Sequence, residues 1–505
     1  MIEKKDGLFR GLGELSRRDF LTMAGLGVGA LALGGCGALG SQGGAGGSTT
    51  EESGGSGVKE YAFDVAPQEV DIGGRTFPTW GYNGGIPGPE IRVRQGDTLR
   101  VRLNNQLPEG TTIHWHGQPI VNDMDGVPDV TQPQIKSGEE FVYEFVVPAA
   151  GTYFYHSHVG TQLDRAAYGP LIVEPKNETV SSDREFTLML DDWLDGVDGG
   201  TPQDELDKLQ SGGSAMAGMD MGGGGDMSGM GGGGGEPART PPDTIYPYYL
   251  INGRPPEDPE ELEVSEGERV RLRMINTSSA TIYRVALAGH RLSVTHTDGQ
   301  PVEPVEADVV RLGPGERYDA TVEAENPGVW QLAAEAEGTE KLARAVFRYQ
   351  GAGGDAPAAD EMPSELNGEL LLYDMLRAAP EAESVPEGEP DNVVGLVLDG
   401  DEETYVWTIN GETFEEADRI EIERDRKVRF EFENRSDMPH PMHLHGHFFQ
   451  VDNGSGRGPI KDTVMVEPMQ KLAIDWFADN PGPWAMHCHL LYHQEGGMMR
   501  VVNVA

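Results

Sequence analysis

Two stretches near the end of this 505-residue chain concentrate side chains that bind soft, redox-active metals. HPMHLHGHFF runs from His440 to Phe449, and HCHLLYHQEGGMM from His487 to Met499. With His447 set aside, they offer the imidazoles of His440, His443, His445, His487, His489 and His493, the thiolate of Cys488 and the thioether of Met498. Thiolate, thioether and imidazole donors suit copper, whereas magnesium and calcium take oxygen.

Spacing adds more than composition does. Side chains alternate faces along a strand, so His487 and His489 share one face while Cys488 takes the other, and one tripeptide touches two metal centres. On the Cys488 side, His493 and Met498 follow at short intervals and His440 can complete a His2Cys set with a weak axial Met, the arrangement of blue-copper electron-transfer sites. His443 and His445 also share a face, and His440 stands at an odd offset from His445. Two earlier pairs repeat the pattern: His114 and His116 in HWHG, His156 and His158 in HSHVG. Four such pairs supply enough imidazoles for a three-copper cluster. A mononuclear zinc site needs only four ligands, and scattered surface or core histidines do not repeat this spacing four times with a cysteine inside one pair.

At this point the chain resembles the multicopper oxidases, whose four copper motifs stand here complete and in order. The resemblance implies four copper ions. A type 1 copper would sit on His440, Cys488, His493 and Met498, and a type 2 copper on His114 and His443. One type 3 copper would take His116, His156 and His489, the other His158, His445 and His487. It also implies an all-β fold of three cupredoxin-like Greek-key β-sandwich domains. Asp125, in MDGVP, falls where the family places a carboxylate close to the type 2 copper, and Glu495 is a second candidate proton relay. Copper-efflux oxidases tend to carry an acid directly after the last type 1 histidine; Gln494 stands there in this chain.

The rest of the chain must position these groups. Short alternating segments bounded by Gly, Pro and Asn, such as DTLRVRLNN, EEFVYEFVVP and RKVRFEFENRS, read as strands of sandwiches. The expected organisation is a twin-arginine signal with a lipobox over 1–36 (SRRDFL from Ser16, LGGC ending at Cys36), a flexible Gly/Ser tether over 37–57, a first domain over 58–176, a second over 177–350, a linker over 351–365, and a third domain over 366–505. A glycine-rich insert at 211–235 holds Met216, Met219, Met221, Met227 and Met230, a composition that builds no core and whose thioethers are soft ligands for Cu(I). The second domain carries none of the ligand candidates, so its expected role is spacing and packing. Cys36 and Cys488 are the only cysteines, which excludes a disulfide framework.

Against 39 basic residues stand 84 acidic ones, for a formal charge of -45. Such a field repels nucleic acid and anionic lipid, and its self-repulsion favours a halophilic, haloarchaeal setting where salt screens it. The membrane is expected to be reached only through a lipid on Cys36 after export to the cell surface or beyond. Sequons at Asn177, Asn276, Asn434 and Asn453 permit glycosylation there.

The expected activity is that of a laccase-type oxidase, taking single electrons from phenolic or aromatic amine donors and reducing O2 to water. Its rivals are a cuprous oxidase that detoxifies Cu(I) and a non-enzymatic cupredoxin-like scaffold. The full ligand set argues against the scaffold.

Overall fold

The computed structural model describes residues 57–213 and 236–505; the signal, the lipobox, nearly all of the tether and nearly all of the Met-rich insert lie outside them. The described chain forms six sheets in three successive pairs. The alternation read from the sequence drives their formation. In Lys427–Asn434, Val428, Phe430, Phe432 and Asn434 turn inward while the charged residues between them turn out, and Thr98–Asn105 repeats the pattern with Leu99, Val101, Leu103 and Asn105 inward. Arg269–Asn276 is buried along almost its whole length because it packs on both faces.

The three pairs share one plan. In each, an early strand runs parallel to a later one: Val58–Ile72 beside Thr98–Asn105, Arg184–Trp193 beside Arg269–Asn276, and Asn392–Asp401 beside Lys427–Asn434. The opposite sheet repeats this with Ile91–Arg94 beside Tyr168–Glu174, Glu260–Val264 beside Leu342–Tyr349, and Ile420–Ile422 beside Met499–Val504. Parallel neighbours cannot be joined by a hairpin, so the chain crosses between the two sheets of each sandwich.

A buried asparagine closes the same strand in each repeat. Nδ2 of Asn105 donates to the carbonyls of Glu109 and Ile135, that of Asn276 to Thr281 and Leu312, and that of Asn434 to Met438 and Val466. Asn276 and Asn434 are at most 1% exposed, so these two sequons cannot accept a glycan in the folded chain; the amide is committed to closing the strand. Asn453 is also engaged, donating to the carbonyls of Tyr373 and Leu376, while Asn177 is exposed.

Among the described residues two short α-helices interrupt the strands. Pro202–Gln210 starts at a capping box made by Thr201 and Asp204, and Leu491–Glu495 follows the Gly482–Cys488 strand.

Candidate copper centres

The first pair of histidines occupies its own strand, His114–His116, which pairs with Gly151–His156 so that His114 lies opposite His156. The third-sandwich motifs meet in the same way: His440–Leu444 runs against Gly482–Cys488, with His443 opposite His487 and Met442 opposite Cys488. Strand pairing therefore converts each sequence motif into one half of a facing pair.

The structure brings the imidazoles together in groups. Nε2 of His487 lies 3.1 Å from Nε2 of His445 and 3.4 Å from Nε2 of His158. Nitrogens of His116, His156 and His489 lie within 4.8 Å of one another, as do those of His114, His116 and His443. At the other centre, Sγ of Cys488 is 3.6 Å from Nδ1 of His440 and 3.8 Å from Nδ1 of His493, with the two Nδ1 atoms 3.1 Å apart. Met498 is buried in the same cluster as Cys488, and its carbonyl accepts from the Cys488 N–H. Met499 packs instead with Val127 and Ala485, in a separate cluster.

The outer nitrogens fix the tautomers. Nδ1–H of His114 donates to the Asp125 carbonyl (2.9 Å), that of His156 to Ser157 (2.8 Å), that of His443 to Asp462 (2.8 Å) and that of His487 to Cys488 (2.9 Å). Nε2 of His114, His156 and His443, Nδ1 of His116 and both nitrogens of His489 are left buried without a protein partner. Buried polar atoms in native proteins are paired, so lone pairs converging on common points mark metal positions. Burial, reinforced by the neighbouring imidazoles, pushes His116, His156, His158, His445 and His489 well below the ordinary histidine range, and His487 to about 3. These rings are neutral, as metal ligation requires. Burial likewise pushes the Cys488 thiol up; a cation at its sulfur reverses that preference, since a coordinated thiol deprotonates. The residues therefore fit copper: three clusters of imidazole nitrogens and one His2Cys set.

The carboxylates divide. Asp125 is buried, and its Oδ2 accepts from Nδ1 of His445 at 3.0 Å while Oδ1 lies 3.2 Å from Nδ1 of His114. Gly126 after it takes φ +86°, and a Cβ there would strike the Ile113 backbone, so a glycine is needed where the chain passes the site. Among the described residues no hydrogen bond joins Glu495 to an imidazole; its Oε1 accepts from Nε2 of Gln494 at 3.2 Å. Gln494 itself lines a small cavity with His156, His158, His487 and His489. His447 packs between Trp476 and Trp484, and His290 and His296 lie in the second sandwich against Tyr349 and Thr295.

Three functional contacts had no signal in the sequence. Oδ2 of Asp243 accepts from Nε2 of His493 (2.7 Å) and from the Tyr405 hydroxyl (2.8 Å). Trp407 stacks on His493 with ring centres 3.8 Å apart. Oδ1 of Asp462 lies 3.1 Å from Nε2 of His116, and the same carboxylate is held by Arg317.

Models of the multicopper oxidases match residues 64–178, 184–352 and 389–505. The chain belongs to the multicopper oxidases. It is 39% identical to the multicopper oxidase MmcO of Mycobacterium tuberculosis, over 96% of this chain and 95% of that one. It is 29% identical to a copper resistance protein A homolog of Pseudomonas syringae pv. tomato (88% and 92% covered) and 28% identical to laccase-1 of Cryptococcus neoformans var. grubii (88% and 80% covered). The crystal structure of a multicopper oxidase from Pseudomonas thermotolerans matches 89% of this chain and 99% of its own with a TM-score of 0.66 at 29% identity. This multicopper oxidase is thus an all-β oxidoreductase built of cupredoxin-like sandwiches, as the motifs implied.

Proposed function

We propose that this multicopper oxidase is of the laccase type, removing single electrons from phenolic or aromatic amine donors and reducing O2 to water with four electrons. Four coppers would be held as the motifs imply: type 1 on His440, Cys488, His493 and Met498, type 2 on His114 and His443, and the type 3 pair on His116, His156 and His489 and on His158, His445 and His487. Copper supplies the one-electron redox change at each position.

The observation that carries the reading is the adjacency of Cys488 to His487 and His489. The sulfur faces His440 and His493, while its two sequence neighbours face the other histidine clusters. A copper held by the Cys488 set would be joined to the other clusters through the Cys488 side chain and the backbone to His487 and His489. Asp125 holds the His445 ring and stands beside His114, where the protons consumed in water formation are needed.

The donor side is a small cavity lined by Asp243, Ser279, Tyr405, Met438, Tyr492 and His493. Oδ1 of Asp243 and Oγ of Ser279 are buried in it without partners. An acceptor oxygen beside His493 suits a donor that brings its own O–H or N–H, because the carboxylate takes that hydrogen bond while the electron leaves through the imidazole.

A second reading, cuprous oxidation, is favoured by Met438 in the same cavity. Gly212, at the edge of the described residues, lies against the Glu403 carbonyl, two residues before Tyr405. Steady-state oxygen uptake with a phenol and with Cu(I), in high salt, tests the two. Turnover with Cu(I) alone would overturn the laccase reading. Export by the twin-arginine route, lipidation at Cys36 and a salt-dependent, haloarchaeal way of life belong to the same proposal, motivated by SRRDF, LGGC and the acidic composition.

A further inference from the structure

The second sandwich supplies no ligand candidate, yet it touches the imidazoles. A Cβ added at Gly315 would lie 2.8 Å from Cδ2 of His489 and 3.1 Å from Cε1 of His116, at a backbone φ of +86°. Two residues on, Arg317 is fully buried. Its Nη1 and Nη2 donate to Oδ1 and Oδ2 of Asp462 at 2.7 and 2.6 Å, a two-pronged grip. Nε of Arg317 donates to the Thr152 carbonyl of the first sandwich at 3.2 Å, and Nη1 also to Gly315.

His116 differs from its neighbours. His114, His156 and His443 leave Nε2 without a partner, and Nε2 of His158, His445 and His487 converge on one another. In His116 Nε2 is the engaged nitrogen, 3.1 Å from both Asp462 Oδ1 and Thr463 Oγ1, and Nδ1 is the open one. A neutral imidazole offers a metal only the nitrogen without hydrogen. An ionised carboxylate only accepts, so it keeps the hydrogen on Nε2 and the lone pair on Nδ1.

We propose that Arg317 is a positioning residue: by holding Asp462 it determines that His116 presents Nδ1, not Nε2, to the metal it shares with His156 and His489. The second sandwich is therefore part of the oxygen-reducing site and not a spacer. The support continues behind this contact. Asp298 Oδ1 accepts from the Arg317 N–H, and its Oδ2 from the backbone N–H groups of Asp462 and Thr463. Gly117, directly after HWH, leaves room for the Arg317–Asp462 pair, which any side chain there would strike. The inference rests on the copper reading above.

The test compares three variants as copper-loaded enzymes. Arg317→Lys keeps the charge and loses the fork. Asp462→Asn keeps the size; with its oxygen turned to Arg317 its NH2 faces His116, forcing the hydrogen onto Nδ1. Arg311→Lys is the control, because Arg311 forms a buried bridge to Glu337 and Glu467 between the same two sandwiches and bonds no imidazole. The readouts are copper retained against a chelator and the share of copper visible by electron paramagnetic resonance, since a bridged cupric pair is silent and a broken pair is not.

The first two variants are expected to hold one copper about 10- to 100-fold less tightly and to raise the visible share, with blue absorption per chain unchanged. Arg311→Lys should leave both readouts at wild-type values even where it lowers Tm equally. Wild-type values in Asp462→Asn, or the same change in Arg311→Lys, would overturn the proposal; should Arg317→Lys not fold, Asp462→Asn decides. A wild-type enzyme with no silent pair would defeat the copper reading instead.

Discussion

Oδ2 of Asp125 stands 3.0 Å from Nδ1 of His445, although 320 residues separate them in the chain. The contact joins the first and third sandwiches at the cluster: Asp125 orients the His445 ring and stands beside His114, where the proposed function needs a proton relay. Asp125→Asn keeps the shape and loses the ionisable group. Reduction of the type 1 site by donor should be unchanged, while reoxidation by O2 slows by about 10²-fold or more. Stopped-flow mixing of the anaerobically reduced variant with O2 measures this, and wild-type reoxidation would remove Asp125 from proton delivery.

Cys488→Ser should abolish both the blue absorption and donor oxidation, because a hydroxyl does not replace the thiolate that gives this site its character. The His487 ring keeps its bond to the Cys488 carbonyl, and the other imidazole clusters do not use the sulfur, so the rest of the copper should stay. Metal analysis beside the visible spectrum checks both halves, and retained blue colour would refute the assignment of Cys488.

Met498 and Met499 part company: both are buried, but the Cys488 N–H donates to the Met498 carbonyl, while Met499 packs with Val127 and Ala485. Met498→Leu should therefore raise the type 1 potential, since losing a weak axial donor destabilises Cu(II) relative to Cu(I). Met499→Leu should leave the potential in place. A redox titration in which Met499→Leu shifts more than Met498→Leu would reverse the two roles.

The sequence made the ligands legible because each motif alternates within a strand, and alternation is a local property that pairing preserves. His443 opposite His487 and His114 opposite His156 follow once those strands form. The supporting groups carry no such pattern. Asp243 reaches His493 across 250 residues, Asp462 reaches His116 across 346, and Arg317 reaches Asp462 across 145. An isolated Asp or Arg has no spacing to betray it, and only the packing of three sandwiches brings it to the site. The sequons at Asn276 and Asn434 misled for the opposite reason: a local pattern was present, but the amides are consumed by the backbone where their strands end. The second sandwich, read as a spacer for want of ligands, turns out to lie against His116 and His489.

The acidic composition predicts a response to salt. With a formal charge of -45, like-charge repulsion opposes compactness at low ionic strength and is screened within about 3 Å at 1 M salt. Tm and activity should both rise from low to molar salt. A Tm independent of salt would remove the halophilic reading, and a fall would indicate that bridges such as Arg100 to Glu60 and Glu144 outweigh the net repulsion.

If the proposed function holds, Asp243 should separate donors by whether they carry a proton. Its Oδ2 accepts from His493 and Tyr405, and its Oδ1 is buried without a protein partner. Asp243→Asn preserves the volume, and its amide can still face the His493 ring, but it no longer offers a charged acceptor to a phenol O–H. For a phenol, kcat/KM should fall by about 10²-fold, within the range expected for loss of a positioned proton acceptor. A donor with no proton to lose, such as ferrocyanide, should keep its rate once the change in type 1 potential is allowed for. Measuring both donors together with the potential isolates the effect. Equal losses for the two would mean that Asp243 acts only by holding His493, and an unchanged phenol rate would place the donor elsewhere on the molecule.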